Sequence, residues 1–199
     1  LKVRNMGWSA DEVDQMIRPR GFPKLTDQLR SHAADVIFLC VGMNESFQGR
    51  SGRQRFGQAL ADFVRDLQGH EFNGESAPRI VLVSPIAHED LGSDLPDGVQ
   101  HNRMLRVYSE EMAEVAEQTG VDFVDLFAPT TKWMAAESDK KLTFNGIHLT
   151  EFGDWAVSRM MAQGLGLIEQ DARVKPAKRT RLGAFRRAVY VKNYHFFQW

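Results

Sequence analysis

The sequence predicts an α/β fold of three layers, α/β/α, built on a parallel sheet. Two observations lead to it: four short apolar runs of strand length, and between them stretches whose apolar residues recur at helical spacing. Continuously apolar runs such as Val36 to Val41 predict strands covered by helices on both faces.

The first run, Lys2 to Asn5, opens the chain as a short strand, and Ser9 is expected to cap a helix beginning at Ala10, with Asp11 and Glu12 favouring its dipole. The second run, Val36 to Val41, is the longest, and Cys40 within it reads as a small buried hydrophobe. A helix follows from about Gln54 to Gln68, with Phe56, Leu60, Phe63, Val64 and Leu67 on one face. The third run, Arg79 to Ser84, leads through a Gly/Pro-containing loop to a helix from about Val99 to Gln118, whose stripe is Leu105, Tyr108, Met112, Val115 and Ala116. The fourth run, Val121 to Leu126, precedes a last helix that opens at Thr150, an N-cap, and carries Trp155, Val157, Met160 and Met161.

Composition narrows the class. The chain has 199 residues, 43% hydrophobic and 26% charged, values of an ordinary globular domain rather than a disordered or fibrous chain. No apolar run approaches the roughly 18 residues of a membrane span. A single cysteine excludes an intrachain disulfide and a multi-cysteine zinc site. The opening Leu1 reads as the start of a piece cut from a longer chain, so the compartment stays open, export being one expectation. From Arg173 onward there are 8 basic residues and no acidic one, which leaves 17 basic against 26 acidic before that point. With Tyr190, His195, Phe196, Phe197 and Trp199 at its end, this tail reads as an extension (171–199) that docks or continues into a further segment, and nucleic-acid binding is not expected.

In parallel sheets the working residues sit in loops beyond the carboxyl ends of the strands. Here those loops hold Asn5-Met6-Gly7-Trp8-Ser9-Ala10-Asp11, Gly42-Met43-Asn44-Glu45, Pro85-Ile86-Ala87-His88-Glu89 and Asn145-Gly146-Ile147-His148-Leu149. The first, second and fourth resemble, in order, the second, third and fifth sequence blocks of the SGNH hydrolase superfamily, the GDSL-type esterases and acylhydrolases. The resemblance runs from about Lys2 to Leu167 and implies a flavodoxin-like sheet within a domain of residues 1–170, with one strand missing. It also implies acyl transfer through a serine ester, on a small-molecule or glycan ester, with no cofactor and no metal.

By the same resemblance His148 is the general base, the residue at 145 orients it, Asn44 supplies an oxyanion amide, and the backbone N–H of Ala10 a second oxyanion donor. Gly7, Gly42, Met43, His88 and His101 are then the expected substrate contacts. Two departures bear on activity. The Gly-Asp-Ser block that carries the family's nucleophile does not occur in these 199 residues. Asn145 stands where the family has aspartate, and an amide cannot stabilise an imidazolium by charge. Ala10 replaces a glycine, a change expected to be tolerated at negative φ. A catalytically inactive ligand- or glycan-binding domain is the alternative reading. Ser9, Ser46 and Ser84 are the candidate substitute nucleophiles, and His88, Glu89, Asp90 and His101 lack metal-ligand spacing and read as a site rim.

Overall fold

Three of the four apolar runs form strands in the computed structural model of the chain, which describes residues 2–92, 95–136 and 140–169. They are β1 (Val36–Cys40), β2 (Arg79–Val83) and β3 (Asp122–Val124). All pair in parallel in the order β1-β2-β3, with Ile37 opposite Ile80, Leu39 opposite Leu82, and Val81 opposite Asp122. The helices are α1 (Leu25–Ser31), α2 (Arg53–Gln68), α3 (Val99–Thr119), α4 (Phe127–Ala135) and α5 (Glu151–Gly164). Helix therefore follows strand along the chain, as a parallel sheet requires.

The pleat explains the layering, because successive side chains point to opposite faces. Ile37, Leu39, Ile80 and Leu82 point to one side, where they meet Phe56, Leu60, Val64 and Leu67 of α2 and Tyr108, Met112 and Val115 of α3. Val81, Val83 and Val124 point to the other, against Val157 of α5 and Ile86. Leu82 is fully buried in the middle strand, so its truncation to alanine is a cavity mutation costing about 2–5 kcal/mol. Thr150 caps α5 as expected, its hydroxyl accepting the Gly153 N–H at 3.0 Å.

Four expectations need correction. Lys2 to Asn5 is not a strand: Val3 is its one apolar residue and is 75% exposed, and no neighbouring strand takes up its backbone groups. No helix starts at Ala10, whose φ of +64° turns the chain instead, while the Asp11 carboxylate accepts the Trp8 N–H. The sheet is not covered on both faces along its whole width, since β1 alternates exposed and buried side chains and Val36 and Phe38 are exposed. Cys40 belongs to that uncovered row and is exposed rather than buried.

Two helices carried no clear signal. Helix α1 buries only Leu29, and its start at Lys24 has no side-chain cap. Helix α4 follows β3 within three residues, which disguises it as a continuation of the fourth run. Its start is satisfied by Asp125, which accepts the Ala128 N–H, and by Ser84, whose hydroxyl accepts the N–H groups of Leu126 and Phe127. Residues Leu1–Leu167 form one unit. Of the second, Ile168–Trp199, only Ile168 and Glu169 are described, so the basic and aromatic extension lies outside the described residues. Among the described residues no helix is long and apolar enough to cross a membrane.

Candidate active site

The loop after β1 owes its shape to Gly42. Its φ of +95° is open to glycine, and a Cβ there would press on the Met112 sulfur at 3.3 Å. The chain then enters a short 3-10 helix (Glu45–Gln48) from Asn44, whose φ is −68°, so Asn44 is not serving as a left-handed turn residue. Its Nδ2 donates to the Asp11 carbonyl at 2.9 Å. That bond brings Asn44 to the Gly7–Asp11 turn, where Ala10 is exposed and Gly7 is held by its N–H on the Asn5 side chain. Met43 packs its side chain against the Val83 and Phe127 clusters, which ties this loop to the core rather than leaving it as free rim.

Glu45 fastens the two segments together. Its carboxylate is 4% exposed, with Oε1 accepting the Val13 N–H and Oε2 the Gly42 N–H, both at 2.9 Å. Burial pushes its carboxyl up while those N–H groups pull it down. On the opposite side of the site Glu89 is 2% exposed and takes the Leu142 N–H, the Thr143 N–H and the Thr143 hydroxyl. The Glu89 N–H in turn donates to the Gly146 carbonyl at 2.9 Å. The loop after β2 thereby holds the loop that carries His148.

Between the two lies a row of polar contacts. Ser46 Oγ is 2.6 Å from the Met43 carbonyl and 2.8 Å from His101 Nε2. His101 Nδ1 is 3.0 Å from His88 Nδ1, and His88 Nε2 is buried without a hydrogen-bond partner. One proton order satisfies this row. Ser46 donates to Met43, His101 Nε2 donates to Ser46, and His88 Nδ1 donates to His101 Nδ1, leaving His88 Nε2 bare. Burial and the neighbouring His88 lower the His101 pKa to about 4, so the ring is neutral as this order requires. The His88 backbone is clamped by Asn102, which accepts its N–H and donates to its carbonyl, both at 2.8 Å. A Cβ on Gly146 would lie 2.5 Å from His88 Nε2, so the glycine at 146 permits this close approach.

These contacts join the loop that carries Asn44, through Ser46, His101 and His88, to Gly146 and the His148 loop at the carboxyl edge of the sheet. His148 itself is exposed and stacks on Phe144, with ring centroids 5.8 Å apart. Asn145 Oδ1 accepts the N–H groups of Ile147 and His148 at 3.3 and 2.9 Å. The same amide meets His148 Nδ1 through Nδ2 at 2.9 Å and through Oδ1 at 3.1 Å. With Oδ1 already accepting two bonds, the shorter Nδ2 contact favours the tautomer in which Nδ1 accepts and Nε2 carries the proton. The Oδ1 contact leaves the opposite tautomer within reach, in which Nε2 is free to take a proton.

The substitute nucleophiles fare differently. Ser46 is 1% exposed and gives its proton to a carbonyl, and Ser84 is 2% exposed and serves the start of α4. Ser9 is exposed on the turn beside Ala10. The roles of Glu45, Glu89 and Asn102 escaped sequence reasoning. Their signal was an acidic or amide side chain beside each loop residue of interest, and each is a polar side chain that satisfies backbone groups of a different segment. Two surface grooves, of about 560 and 410 Å³, run along α3, and neither is lined by Asn44 or His148.

A profile described as the GDSL-like lipase/acylhydrolase family matches residues 1–156. No curated protein is a significant sequence match to the chain. Among solved structures the chain is similar to a catalytic mutant of Axe2, an acetylxylan esterase from Geobacillus stearothermophilus, with TM-score 0.55, 16% identity, and coverage of 72% of this chain and 64% of that one. It is similar to BT4096, a gut microbial diltiazem-metabolizing enzyme, with TM-score 0.53, 18% identity, and coverage of 73% and 37%. It is similar to a peptidoglycan O-acetylesterase, with TM-score 0.53, 19% identity, and coverage of 74% and 41%. The chain thus spans about two thirds of the acetylxylan esterase and less than half of the other two.

Proposed function

Because the chain belongs to the GDSL-like lipase/acylhydrolase family, we propose that it carries the base and oxyanion side of an ester-hydrolase site acting on small-molecule or glycan esters. The observation that supports this reading is the row of contacts from the loop that carries Asn44, through Ser46, His101 and His88, to the His148 loop, held by Glu45 on one side and Glu89 on the other. In the proposed reaction a serine hydroxyl attacks the ester carbonyl while His148 Nε2 takes its proton. Asn44 Nδ2 and the Ala10 N–H receive the charge that develops on the carbonyl oxygen. The imidazolium then returns the proton to the departing alcohol, and water repeats the sequence on the acyl-enzyme.

The proposal takes the nucleophile from a serine outside residues 1–199, since the sequence has no Gly-Asp-Ser. Asn145 lowers the rate but leaves the chemistry in reach, because Oδ1 lies 3.1 Å from Nδ1 and can accept from the base-competent tautomer. The similar solved structures include esterases of acetylated xylan and of peptidoglycan, which supports a carbohydrate ester as substrate. The test is hydrolysis of an activated acetyl ester and fluorophosphonate labelling of the protein extended by the sequence encoded upstream of Leu1. Turnover that His148→Ala abolishes is expected, and turnover indifferent to that change overturns the reading. The Nε2–H tautomer that the Asn145 Nδ2 contact favours supports a second reading, a domain that binds such ligands without cleaving them; saturable binding with no labelling would select it.

A further inference from the structure

The larger groove on α3 is basic in a part of the chain that is otherwise acidic. Its volume is about 560 Å³, and four arginines line it, Arg50, Arg53, Arg103 and Arg106, against one acidic side chain, Glu110. Positions 103, 106 and 110 share a helix face at spacings of three and four, and Arg50 and Arg53 approach from the segment before α2 and its first turn. Arg53 is held by Glu111 and by Glu114 at 2.7 Å. Among the described residues Arg50, Arg103 and Arg106 make no ion pair: Arg103 reaches only the Gln100 side chain, and Arg106 lies over the Phe127 ring. Three exposed guanidinium groups are thus free to pair with carboxylates, for which their planar fork is suited.

We infer that this groove binds an acidic oligosaccharide, a sugar chain bearing repeated carboxylates. Besides charge, the groove offers Met104 and Val107 as an apolar floor and no aromatic side chain on which bases could stack. The 17 to 26 balance of residues before Arg173 repels a polyanion elsewhere on this part of the chain. Position favours a glycan that continues from the candidate site. Gln100 lines the groove, the next residue is His101, and Phe47, three residues before Arg50, stacks on the His101 ring at 4.2 Å between centroids. The choice of a glycan and its treatment as the ester substrate rest on the esterase reading above, whereas binding of a polycarboxylate by the arginines does not.

Calorimetric titration of the full chain with hexagalacturonate, with neutral xylohexaose and with a single-stranded oligonucleotide of equal charge tests the inference. Hexagalacturonate is expected to bind best, and its affinity to fall at least tenfold in the Arg50→Ala/Arg103→Ala variant, whose two side chains are exposed and make no ion pair among the described residues. Equal binding of xylohexaose, equal or tighter binding of the oligonucleotide, or no loss in the groove variant would each overturn it. Loss of esterase turnover with this binding intact would instead count against the esterase reading alone.

Discussion

Asn145 places Nδ2 2.9 Å and Oδ1 3.1 Å from His148 Nδ1, while Oδ1 also accepts two backbone N–H groups of the same loop. The side chain therefore positions the histidine ring well but favours a proton on Nε2, the wrong nitrogen for a base.

Replacing Asn145 by aspartate reverses that proton. A carboxylate at the same place accepts from Nδ1, frees Nε2 and stabilises the imidazolium as it forms. The expected outcome is a change of the His148 ring from the Nε2–H to the Nδ1–H tautomer, read from its ¹⁵N shifts at neutral pH. In the protein extended upstream of Leu1, turnover should rise by as much as about 10³–10⁴. An unchanged tautomer would show that Oδ1, not Nδ2, already governs the ring.

Glu45→Gln should destabilise the protein by about 1–3 kcal/mol. A carboxamide has one acceptor oxygen, so either the Val13 or the Gly42 N–H would face an NH₂ group in a buried position. Denaturant titration measures the loss. Hydrogen exchange should show it concentrated at Val13 and Gly42, whereas a uniform loss would mean that the carboxylate does not specifically join these segments.

Ala10→Gly should stabilise the fold by up to about 1 kcal/mol. Ala10 sits at φ +64°, where the Cβ crowds the backbone and glycine does not, and that relief exceeds the extra entropy glycine carries in the unfolded chain. The comparison is a thermal melt of the two proteins. A lower melting temperature for the glycine form would mean that the turn is not strained.

Stability should fall as pH drops from 6.5 toward 4. The folded His101 titrates near 4 and the unfolded one near 6.5, so between these values the unfolded chain binds the extra proton and gains. The contribution is complete above pH 6.5. For a half-buried ring screened by solvent it is on the order of 1–2 kcal/mol. His101→Gln should flatten this part of the stability profile, measured as denaturant midpoints from pH 4 to 7. An unchanged slope would assign the pH dependence to other groups.

Periodicity carried the helices that bury a broad stripe. Helices α2 and α3 begin within a residue or so of their expected starts, because Leu60, Val64 and Leu67, and likewise Leu105, Tyr108 and Met112, already trace a single face in one dimension. Helix α1 left no such trace, with Leu29 its one buried residue. The segment Lys2–Asn5 misled in the opposite way. A four-residue run holds too little apolar surface to make a strand without a neighbour, and sequence does not show whether a neighbour is present.

By itself the sequence determined the α/β class, the parallel order implied by strand–helix alternation, and the loops in which Asn44, Asn145 and His148 stand. Those properties follow from local patterns, apolar spacing and short motifs read along the chain. Only the tertiary structure decided that Ala10 lies at positive φ, that Cys40 faces outward, and that Ser46 and Ser84 are buried. It also decided that Glu45 and Glu89 pin the loops and that the Asn145 amide turns its N–H toward His148. Each of these depends on which groups meet across 30 or more residues, or on which end of an amide finds a partner, and that is settled by packing and hydrogen-bond satisfaction after the chain has closed on itself.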